Sequence, residues 1–344
     1  MPVGCVVILG PNGSGKTNLL EALTVLGNLV SFRPGTPAAW VRRGESHCAL
    51  HGRVRRDNEP LEIGQTIRLA PRPSRGLTRG SRRVGSQEYL GLFPVVALSS
   101  SDRRLVWDGP EERRRFLDRL SFHLRPETLD VLQRYRTALR QRTALLHSGG
   151  DEALAGFEHT LATLGAHLVR LRWQALAALE AALDHELGAL GWSLPRPRMR
   201  YHAHDNMAAD DEAALAQQLR QTLARSRRND RLRGRTTVGP HRHDLALTMQ
   251  GVPARDALSA GQGKFLAMAL RLAAMAVISA GGRVQPAVVF DDVDAELDTG
   301  VLERVLARLA EAGQVFLSSA HEEVLLPRVA PAAVWRLADG QVQG

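Results

Sequence analysis

The sequence predicts an α/β fold in which a sheet-based head is interrupted by an inserted helical domain. Three observations support this prediction. A short apolar segment, residues 5–9, leads directly into a glycine-rich turn and an amphipathic helix. A second apolar segment, 286–290, ends in two aspartates near the other end of the chain. Between these two segments, apolar residues from 110 to about 190 recur at the three- and four-residue spacing of helices.

The glycine-rich turn matches the G-x-x-x-x-G-K-[ST] pattern of a phosphate-binding P-loop. Its residues are Gly10, Pro11, Asn12, Gly13, Ser14, Gly15, Lys16 and Thr17. Glycines let the backbone curl until successive N–H groups point inward at a helix N-terminus, which makes a site for anions. In such loops the lysine contacts the β- and γ-phosphates and the threonine hydroxyl binds Mg²⁺. A chance lysine is a poor alternative, because the chain has only two lysines against 43 arginines.

The charge of the chain points to a polyanionic partner, either nucleic acid or a membrane surface. The net charge is +9 and the isoelectric point is near 10.7. A general preference for arginine would also raise the total, so the clustering carries more weight. Six arginines fall in 68–83 with no acid among them, and six fall in 225–235 with only Asp230 opposing. We expect nucleic-acid contact from these clusters, although a solvated charged face is the alternative. The candidate residues are Arg68, Arg72, Arg75, Arg79, Arg82, Arg83, Arg225, Arg227 and Arg228.

Cysteine content and hydropathy favour the cytoplasm. Two cysteines, Cys5 and Cys48, give neither a disulfide framework nor a metal-binding spacing. No uninterrupted apolar run approaches the roughly 20 residues of a membrane span. The sequence enters the P-loop strand almost at once, which leaves no room for a signal peptide. We therefore expect a cytoplasmic protein without a membrane partner.

The region after the P-loop helix predicts a small antiparallel sheet. Residues 27–44 are punctuated by glycine and proline and are expected to form a loop. Residues 47–55 and 61–69 alternate in polarity, which predicts a hairpin beside the nucleotide core. The arginine-rich segment 71–85 is predicted to be a mobile loop, and 93–98 to be a further apolar strand.

The helical region begins at Pro110, where proline and two acids suit the first turn of a helix. We expect an arm in which a long leucine-striped helix folds back on residues 129–146, with a turn at Ser148, Gly149 and Gly150. Its stripe is too short to indicate an extended coiled coil. A break with a possible strand follows at 191–206, and 213–223 is helical again.

The alternating segment 236–249 is interpreted as the return to the head. The predicted domains are therefore the N-terminal part of the head at 1–108, the helical arm at 109–235 and the C-terminal part of the head at 236–344.

The C-terminal part of the chain supplies a second group of candidate site residues. Ser259, Gly261 and Gln262 precede a long apolar helix and alone predict only a helix N-cap. The strand 286–290 delivers Asp291 and Asp292 in the form of a Walker B segment. Asp291 is expected to orient Mg²⁺, through water, opposite the P-loop, and Asp292 to act as a general base or to position water.

One further strand, 315–319, leads to His321. Taken alone this histidine predicts an ordinary surface residue. Behind the preceding motifs it becomes a candidate sensor of the γ-phosphate.

The order of these motifs is that of the ABC-type ATPases: P-loop, LS-x-G-Q, apolar-Asp-Asp, x-E-L-D at 295–298, and strand-His. Within that class the sequence resembles the RecF family, bacterial recombination-repair ATPases related to the SMC proteins. The resemblance covers most of the chain, at 10–23, 31–33, 109–118, 141–146, 237–245, 258–272 and 290–298. The segments GPEERRRFLD and VGPHRHDL weigh most, because neither is a general ABC feature.

This resemblance implies an ABC/SMC-like P-loop ATPase head with an inserted helical arm, using ATP and Mg²⁺. Two heads would close on two ATP molecules, each held between one P-loop and the partner's Ser259, Gly261 and Gln262. The joined basic surfaces would bind DNA through its phosphates, with little sequence preference. In the family this serves recombinational repair and replication-gap processing, in which RecO and RecR help to load RecA. RecR- and RecO-like proteins are therefore expected partners.

The sequence departs from the family pattern in three places. Gln87 precedes the strand 93–98 and residues 99–102 follow it, so no clear Q-loop glutamine is present. Asp292 is Glu in many ABC ATPases, and since a shorter acid reaches less far we expect slow hydrolysis that acts as a timer. Nine residues precede Gly10, where RecF-like chains carry strands and part of the adenine pocket. We expect any effect of this last difference to fall on nucleotide affinity.

Two other functions share some of these motifs. The ATPase subunit of an ABC transporter is expected to have a Q-loop and a helical subdomain without basic arms. An SMC-like nuclease subunit is expected to have much longer coiled-coil arms or an additional metal cluster. P-loop kinases lack the LS-x-G-Q segment. The sequence does not decide which arginine cluster binds DNA.

Overall fold

The structure is a computed structural model that describes residues 4–56, 59–148, 151–203, 211–281, 284–294, 298–338 and 340–343. The strands are β1 (Gly4–Leu9), β2 (His47–Arg56), β3 (Glu59–Arg68), β4 (Ser74–Arg79), β5 (Arg82–Arg83), β6 (Val95–Leu98), β7 (Arg198–His202), β8 (Asp244–Met249), β9 (Val252–Pro253), β10 (Ala287–Phe290), β11 (Gln314–Ser319), β12 (Ala333–Ala338) and β13 (Gln341–Gln343). The helices are α1 (Lys16–Asn28), α2 (Ser86–Tyr89), α3 (Arg104–Trp107), α4 (Pro110–Leu124), α5 (Thr128–Ser148), α6 (Asp151–Ala189), α7 (Glu212–Arg233), α8 (Ala254–Ala257), α9 (Ala260–Ala280), α10 (Thr299–Leu309) and α11 (Glu322–Leu325).

The chain divides into two compact units. The first comprises Met1–Arg103, His185–Ser193 and Ala260–Gly344, and the second comprises Arg104–Asp184 and Leu194–Ser259. These bounds differ from the predicted domains mainly at 236–259, which belongs with the second unit. The short segment 185–193 belongs with the first unit, although it lies within the region predicted as the arm.

The main sheet of the first unit has six strands in the order β13-β12-β1-β11-β10-β6. The five strands from β12 to β6 run parallel, and β13 pairs antiparallel with β12. Buried parallel strands are apolar on both faces, and Val6, Val7 and Val288 are accordingly 0% exposed. Because the carboxyl ends of parallel strands meet at one edge, the residues that follow β1, β10 and β11 share that edge. The predicted α/β head is confirmed.

A second sheet of four antiparallel strands, in the order β2-β3-β4-β5, packs against α1. The predicted hairpin of β2 and β3 is confirmed. The prediction that 71–85 is a mobile loop is wrong, because β4 and β5 pair there. Its only deeply buried apolar residue is Leu77, which is 6% exposed. With arginines along the solvent side, the segment lacks the apolar alternation by which strands are recognised.

The helix α9 crosses the interior of the first unit. Its residues Leu266, Ala269 and Leu272 are each 0% exposed. By length and mean hydropathy α9 also meets the criterion for a membrane span, although Gln262, Lys264 and Arg271 interrupt its apolar residues. Burial explains the composition, since 61% of its most apolar window lies inside the protein. A helix that is apolar on all sides is typical of the core of a large protein.

The second unit is built on α5, α6 and α7, which share one apolar cluster containing Val131, Leu168 and Leu219. The predicted start of α4 at Pro110 and the strand predicted within 191–206 are confirmed. The turn predicted at Ser148, Gly149 and Gly150 falls largely outside the described residues. The prediction that 236–249 returns to the head is wrong, because β8 pairs antiparallel with β7 in the second unit.

Candidate nucleotide site

The P-loop is held in a tight curl by its own lysine. Lys16 is 4% exposed, and its Nζ donates hydrogen bonds to the carbonyl oxygens of Gly10 at 2.7 Å and Pro11 at 3.2 Å. Leu19 N donates to Gly15 O at 3.0 Å, which begins the ladder of α1. The ammonium group therefore lies inside the loop at a helix N-terminus, where positive charge and backbone N–H groups favour a phosphate.

Two of the P-loop glycines are required by this geometry. Gly15 has φ +105°, which L side chains rarely adopt, and it caps α1 in a left-handed conformation. A Cβ at Gly10 would collide with Leu337 O and would lie 2.7 Å from Ser14 Oγ. Within the described part of the chain, buried Ser14 Oγ makes no hydrogen bond. An unpaired buried hydroxyl is costly, so its presence in the loop fits a phosphate as its missing partner.

The P-loop meets the Walker B strand directly. Thr17 Oγ1 donates to Asp291 Oδ1 at 3.1 Å, and Ser318 Oγ donates to the same oxygen at 2.8 Å. Burial raises the pKa of Asp291, with a further contribution from Asp292, while the hydrogen bonds from Ser318 and Thr17 oppose the rise. A threonine hydroxyl beside a carboxylate is the oxygen donor set that Mg²⁺ prefers, so the residues present fit this ion.

Asp292 has a constrained backbone. Its φ is +49°, in the left-handed region, and its N–H donates to Ser318 Oγ at 2.9 Å. Non-glycine residues held in this region concentrate at functional sites. One serine side chain thus fixes both members of the acidic pair, Asp291 through its carboxylate and Asp292 through its backbone. Sequence reasoning missed Ser318, for which the only signal is a hydroxyl at the end of an otherwise apolar strand.

A cavity of about 250 Å³ lies beside the acidic pair, where a Q-loop would follow β6. Its lining includes Asp102, Arg103 and Lys264 in addition to Asp291 and Asp292. Asp102 is 6% exposed, accepts from Ser99 N at 2.8 Å and from Arg271 Nε at 2.9 Å. The segment after β6 is therefore attached to α9 by an ion pair instead of carrying a glutamine. Sequence analysis missed Asp102, Lys264 and Arg271.

The signature residues lie where α9 begins. Ser259 and Gly261 are exposed, and α9 starts at Ala260. Gln262 is partly exposed in the first turn. Their role toward a nucleotide stays a prediction. Of the x-E-L-D segment, residues 295–297 lie outside the described residues, and Asp298 caps α10 by accepting from Val301 N at 2.9 Å.

His321 follows β11 at the sheet edge shared with the P-loop and Walker B. Its side chain is 62% exposed, with Nδ1 3.4 Å from a carboxylate oxygen of Glu323. Its backbone N–H donates to Ser319 Oγ at 2.8 Å, and Ser319 Oγ donates to Asp294 Oδ2 at 2.8 Å. The strand end that carries His321 is thereby tied to the turn after Walker B. A sensor role for His321 stays a prediction.

The first arginine cluster is only partly available for a partner. Arg75 Nη1 donates to Leu29 O at 2.7 Å and its guanidinium lies over the ring of Trp40 at 5.6 Å. Arg79 lies 3.6 Å from Glu88, which also pairs with Arg82. The remaining members of this cluster, Arg68, Arg72 and Arg83, are exposed. Arg75 therefore has a structural role in joining β4 to α1.

The second arginine cluster lies on α7. Arg225 and Arg228 are exposed. Arg227 donates three hydrogen bonds to the carboxylate of Glu158, two from Nε at 2.9 and 3.1 Å and one from Nη2 at 2.6 Å, and Glu158 is 1% exposed. We therefore assign Arg227 a structural role and keep the two exposed arginines as candidates.

The two segments that carried most of the resemblance meet in the second unit. Arg113 in α4 binds both carboxylate oxygens of Asp244, at 2.8 and 2.9 Å. Arg114 Nη1 donates to His243 O at 2.7 Å, and Asp118 accepts from Arg172 Nε at 2.7 Å. The residues of GPEERRRFLD and VGPHRHDL thus form one polar network, so both segments contribute to the structure of the second unit.

Similarity to known proteins agrees with this geometry. Residues 2–335 match the family model described as the RecF/RecN/SMC N terminal domain. A DNA replication and repair protein RecF from Anaeromyxobacter sp. (strain Fw109-5) is 34% identical, over 98% of this chain and 92% of its own length. RecF of Frankia alni is 34% identical over 93% and 88%, and RecF of Myxococcus xanthus 32% over 96% and 88%.

Solved structures give the same result. A structure described as the recombination mediator protein RecF-ATP in the RecFOR pathway has a TM-score of 0.91 and 26% identity, and covers 100% of this chain and 92% of the other. An SMC head bound to the C-winged helix domain of ScpA has a TM-score of 0.52 at 16% identity, which indicates the shared fold alone. The chain is a member of the RecF family and has the ATPase fold that RecF shares with SMC heads.

Proposed function

We propose that this chain is an ATP-dependent DNA-binding protein of the RecF type that dimerises on ATP and hydrolyses it slowly. The observation that carries the proposal is the contact of Thr17 Oγ1 with Asp291 Oδ1 beside the lysine-centred loop. It assembles a P-loop and a Walker B carboxylate from residues 274 positions apart. The relative solved as RecF-ATP supports ATP as the nucleotide.

Each site residue has a proposed task. Bound Mg·ATP supplies the γ-phosphoryl group whose transfer to water is the reaction. Lys16 and the N–H groups of the loop bind phosphate oxygens, and Thr17 with Asp291 holds Mg²⁺. Asp292 positions a water molecule and accepts its proton, and His321 contacts the γ-phosphate side. We expect slow turnover because the short Asp292 side chain is set by a constrained backbone.

The proposed dimer follows from the exposure of the signature. Ser259 and Gly261 are exposed residues at the start of a 21-residue helix, where hydroxyl and N–H groups can bind an anion. A second copy would place these donors on the γ-phosphate of the first, so ATP would hold two chains together. ADP lacks that phosphate, and we expect it not to support the dimer.

The proposed DNA contacts are made by the exposed arginines of each cluster taken separately, Arg68, Arg72 and Arg83 in the first unit and Arg225 and Arg228 in the second. Phosphate contacts of this kind give affinity with little sequence preference and strong salt dependence. As in the pathway named for the RecF-ATP relative, RecR- and RecO-like proteins are the proposed partners in recombinational repair and replication-gap processing, ending in RecA loading. We place this activity in the cytoplasm and do not retain the transporter or nuclease-subunit alternatives, because the chain belongs to the RecF family.

The nucleotide part is tested by sedimentation and duplex binding with ATP, ADP or no nucleotide. We expect ATP alone to produce the dimer and the tightest DNA binding. Lys16→Met should lose nucleotide binding, and Asp292→Asn should trap the ATP-bound dimer. An ATP hydrolysis rate of Asp292→Asn equal to that of the parent would remove the proposed role of this carboxylate.

The DNA part is tested separately with Arg68→Ala/Arg72→Ala/Arg83→Ala. A matched control is Arg53→Ala on β2 of the same sheet, whose side chain is 71% exposed and paired with Glu62. We expect the triple variant to bind duplex DNA more weakly and with a flatter salt dependence. Equal affinities of the triple variant and the control would assign the first cluster to an ordinary solvated face.

A further inference from the structure

A basic pocket is present in the second unit, and Arg233 and Arg235 at the end of the second arginine cluster form part of its lining. A cavity of about 360 Å³ is lined by Arg114, Arg233, Arg235 and Arg242, together with Pro110 and Thr237. None of these six lining residues is acidic. The space is much larger than the ~30 Å³ that one water molecule occupies in the liquid. We propose that this pocket binds one phosphate group of a DNA backbone.

The carboxylates around Arg114 are already bound by other arginines. Asp244 accepts both of its hydrogen bonds from Arg113, at 2.8 and 2.9 Å. Asp118 is held by Arg172 at 2.7 Å, and Glu111 pairs with Arg115. Within the described part of the chain, the four pocket arginines make no ion pair with a carboxylate. The pocket therefore keeps a surplus of positive charge that an external anion can neutralise.

Arg114 and Arg242 are partly buried, so the surplus of positive charge in the pocket is energetically costly without an anion. Arg114 is partly buried and fixed by its hydrogen bond to His243 O at 2.7 Å. Burial lowers its pKa, and the neighbouring Arg172 lowers it further, against the influence of nearby acids. Arg242 Nε is buried and makes no hydrogen bond within the described residues, although Nη2 reaches Thr236 O at 3.5 Å. The unpaired buried Nε of Arg242 and the disfavoured charge of Arg114 would both be stabilised by an anion bound in this pocket.

The wall of the pocket at 233–237 is rigidly built. Helix α7 ends at Arg233, and the capping residue Gly234 has φ +61° and donates its N–H to Arg231 O. Asp230 is 0% exposed and accepts from Arg142 Nη1 at 2.7 Å and from Thr237 N at 2.9 Å. This buried acid fixes the turn that carries Arg233 and Arg235, so their backbone positions are set before a ligand arrives. Such preorganisation lowers the cost of binding.

The surroundings favour a polymer as the source of the phosphate. Arg225 and Arg228 are exposed and stand three residues apart on the helix that ends in the pocket. At ~1.5 Å rise per residue, the stretch from Arg225 to Arg233 covers about 12 Å. A stretch of this length spans more than one phosphate of a strand, since phosphates recur about every 3.4 Å along the axis of each strand. The choice of DNA rests on the proposed function, whereas the preference for phosphate rests on the pocket alone.

The test compares Arg233→Ala/Arg235→Ala with the control Arg134→Ala/Arg140→Ala. All four side chains are exposed in the second unit, so both variants remove two charges and are expected to fold. The probe is a fluorescein-labelled 20-base-pair duplex, with affinity measured by anisotropy across a salt series. Loss of one phosphate contact should lower the slope of log K against log salt by about 0.9 and the affinity at 0.1 M salt by about eightfold. Equal binding by the two variants would overturn the proposal.

A second measurement separates the pocket from the proposed function. In the Lys16→Met background, which disables the P-loop, inorganic phosphate is titrated at constant ionic strength while thermal unfolding is followed. Phosphate should raise the unfolding temperature, and the rise should disappear when Arg233→Ala/Arg235→Ala is added. An equal rise in both proteins refutes the pocket as a phosphate site. If the pocket-dependent rise is seen but the parent binds no duplex, DNA is excluded as the source and the proposed function fails with it.

Discussion

The ion pair between Arg113 and Asp244 yields the sharpest stability prediction, because it joins the two segments most characteristic of this chain. The side chains of Arg113 and Asp244 are 10% and 19% exposed. Arg113 Nη1 also donates to the carbonyl oxygens of Asp108 at 2.7 Å and Leu105 at 3.3 Å. We predict that Arg113→Met destabilises the second unit strongly, since it leaves a carboxylate and two carbonyl groups without their donor.

The expected loss in the free energy of unfolding follows from the burial of this ion pair. Removing one partner of a buried pair costs about 3–5 kcal/mol, since the other charge stays desolvated. Arg115, two positions further along the same helix, is 57% exposed and pairs with Glu111 and Glu112. Exposed pairs contribute about 0–1 kcal/mol, so Arg115→Met is the matched control. Replacing both partners, as Arg113→Met/Asp244→Leu, should recover a large part of the loss.

The assay is urea unfolding followed by circular dichroism. At a slope near 3 kcal/mol per M, we expect the midpoint of Arg113→Met to fall by roughly 1–1.7 M. The double variant should be more stable than the sum of its single variants by about 1–3 kcal/mol. A loss within 1 kcal/mol of the Arg115→Met control, or strict additivity in the cycle, would refute the reasoning.

Three other predictions concern the site and the titration of the second unit. Ser318→Ala should lower the free energy of unfolding by about 1–3 kcal/mol, because it leaves Asp292 N without an acceptor, and it should slow ATP hydrolysis. The control is Thr24→Ala, which removes a buried hydroxyl bonded to Leu20 O and should leave the hydrolysis rate unchanged. Thr17→Ala should abolish the gain in nucleotide affinity that Mg²⁺ provides, measured by titration with and without the ion, and an undiminished gain would contradict the assigned ligand. Burial lowers the pKa of His123 and of His241 from 6.5 to about 4, so the unfolded chain binds protons at a higher pH than the folded protein. The free energy of unfolding should therefore fall by about 2 kcal/mol per histidine between pH 7 and pH 5. A free energy of unfolding that does not change over this range, or an equally steep pH dependence in His241→Gln, would contradict this.

Local sequence signals predicted the nucleotide site well because each motif carries its own physical requirement. The curl around Lys16 needs glycine at particular positions, and the apolar strand before Asp291 is buried on both faces. The parallel order of β1, β11 and β10 then brings these segments together. The hydroxyl of Ser318 was not predicted, since its partners come from a different strand and the sequence gives no hint of the pairing.

The basic segments were predicted less well, because arginine hides the usual patterns. Residues 74–79 form a strand next to the edge of the sheet, and its buried residue is Leu77. The arginines around Leu77 hide the alternation of polar and apolar residues by which a strand is recognised. The roles of single arginines depend on distant partners: Arg75 binds Leu29 O and Arg227 binds Glu158. Spacing alone does not separate such residues from exposed ones such as Arg72.

The domain boundary was missed for a similar reason. The alternation at 244–249 correctly indicated a strand, but it does not say which sheet the strand joins. The pairing with Arg198–His202 decides this, and those residues follow a long helix with few distinguishing features. Long-range pairing of this kind is set by tertiary contacts that no local window contains.

The central claim is that a nucleotide site is completed by a second copy of the chain, and a mixing experiment tests it most directly. Lys16→Met disables the P-loop and leaves Ser259 intact, whereas Ser259→Arg blocks the signature and leaves the P-loop intact. Each variant alone should fail to dimerise with ATP in a sedimentation experiment. An equimolar mixture should form ATP-dependent heterodimers, because one complete site is assembled from the intact half of each. If the mixture stays monomeric while the parent dimerises, or if Ser259→Arg dimerises alone, the shared site is contradicted.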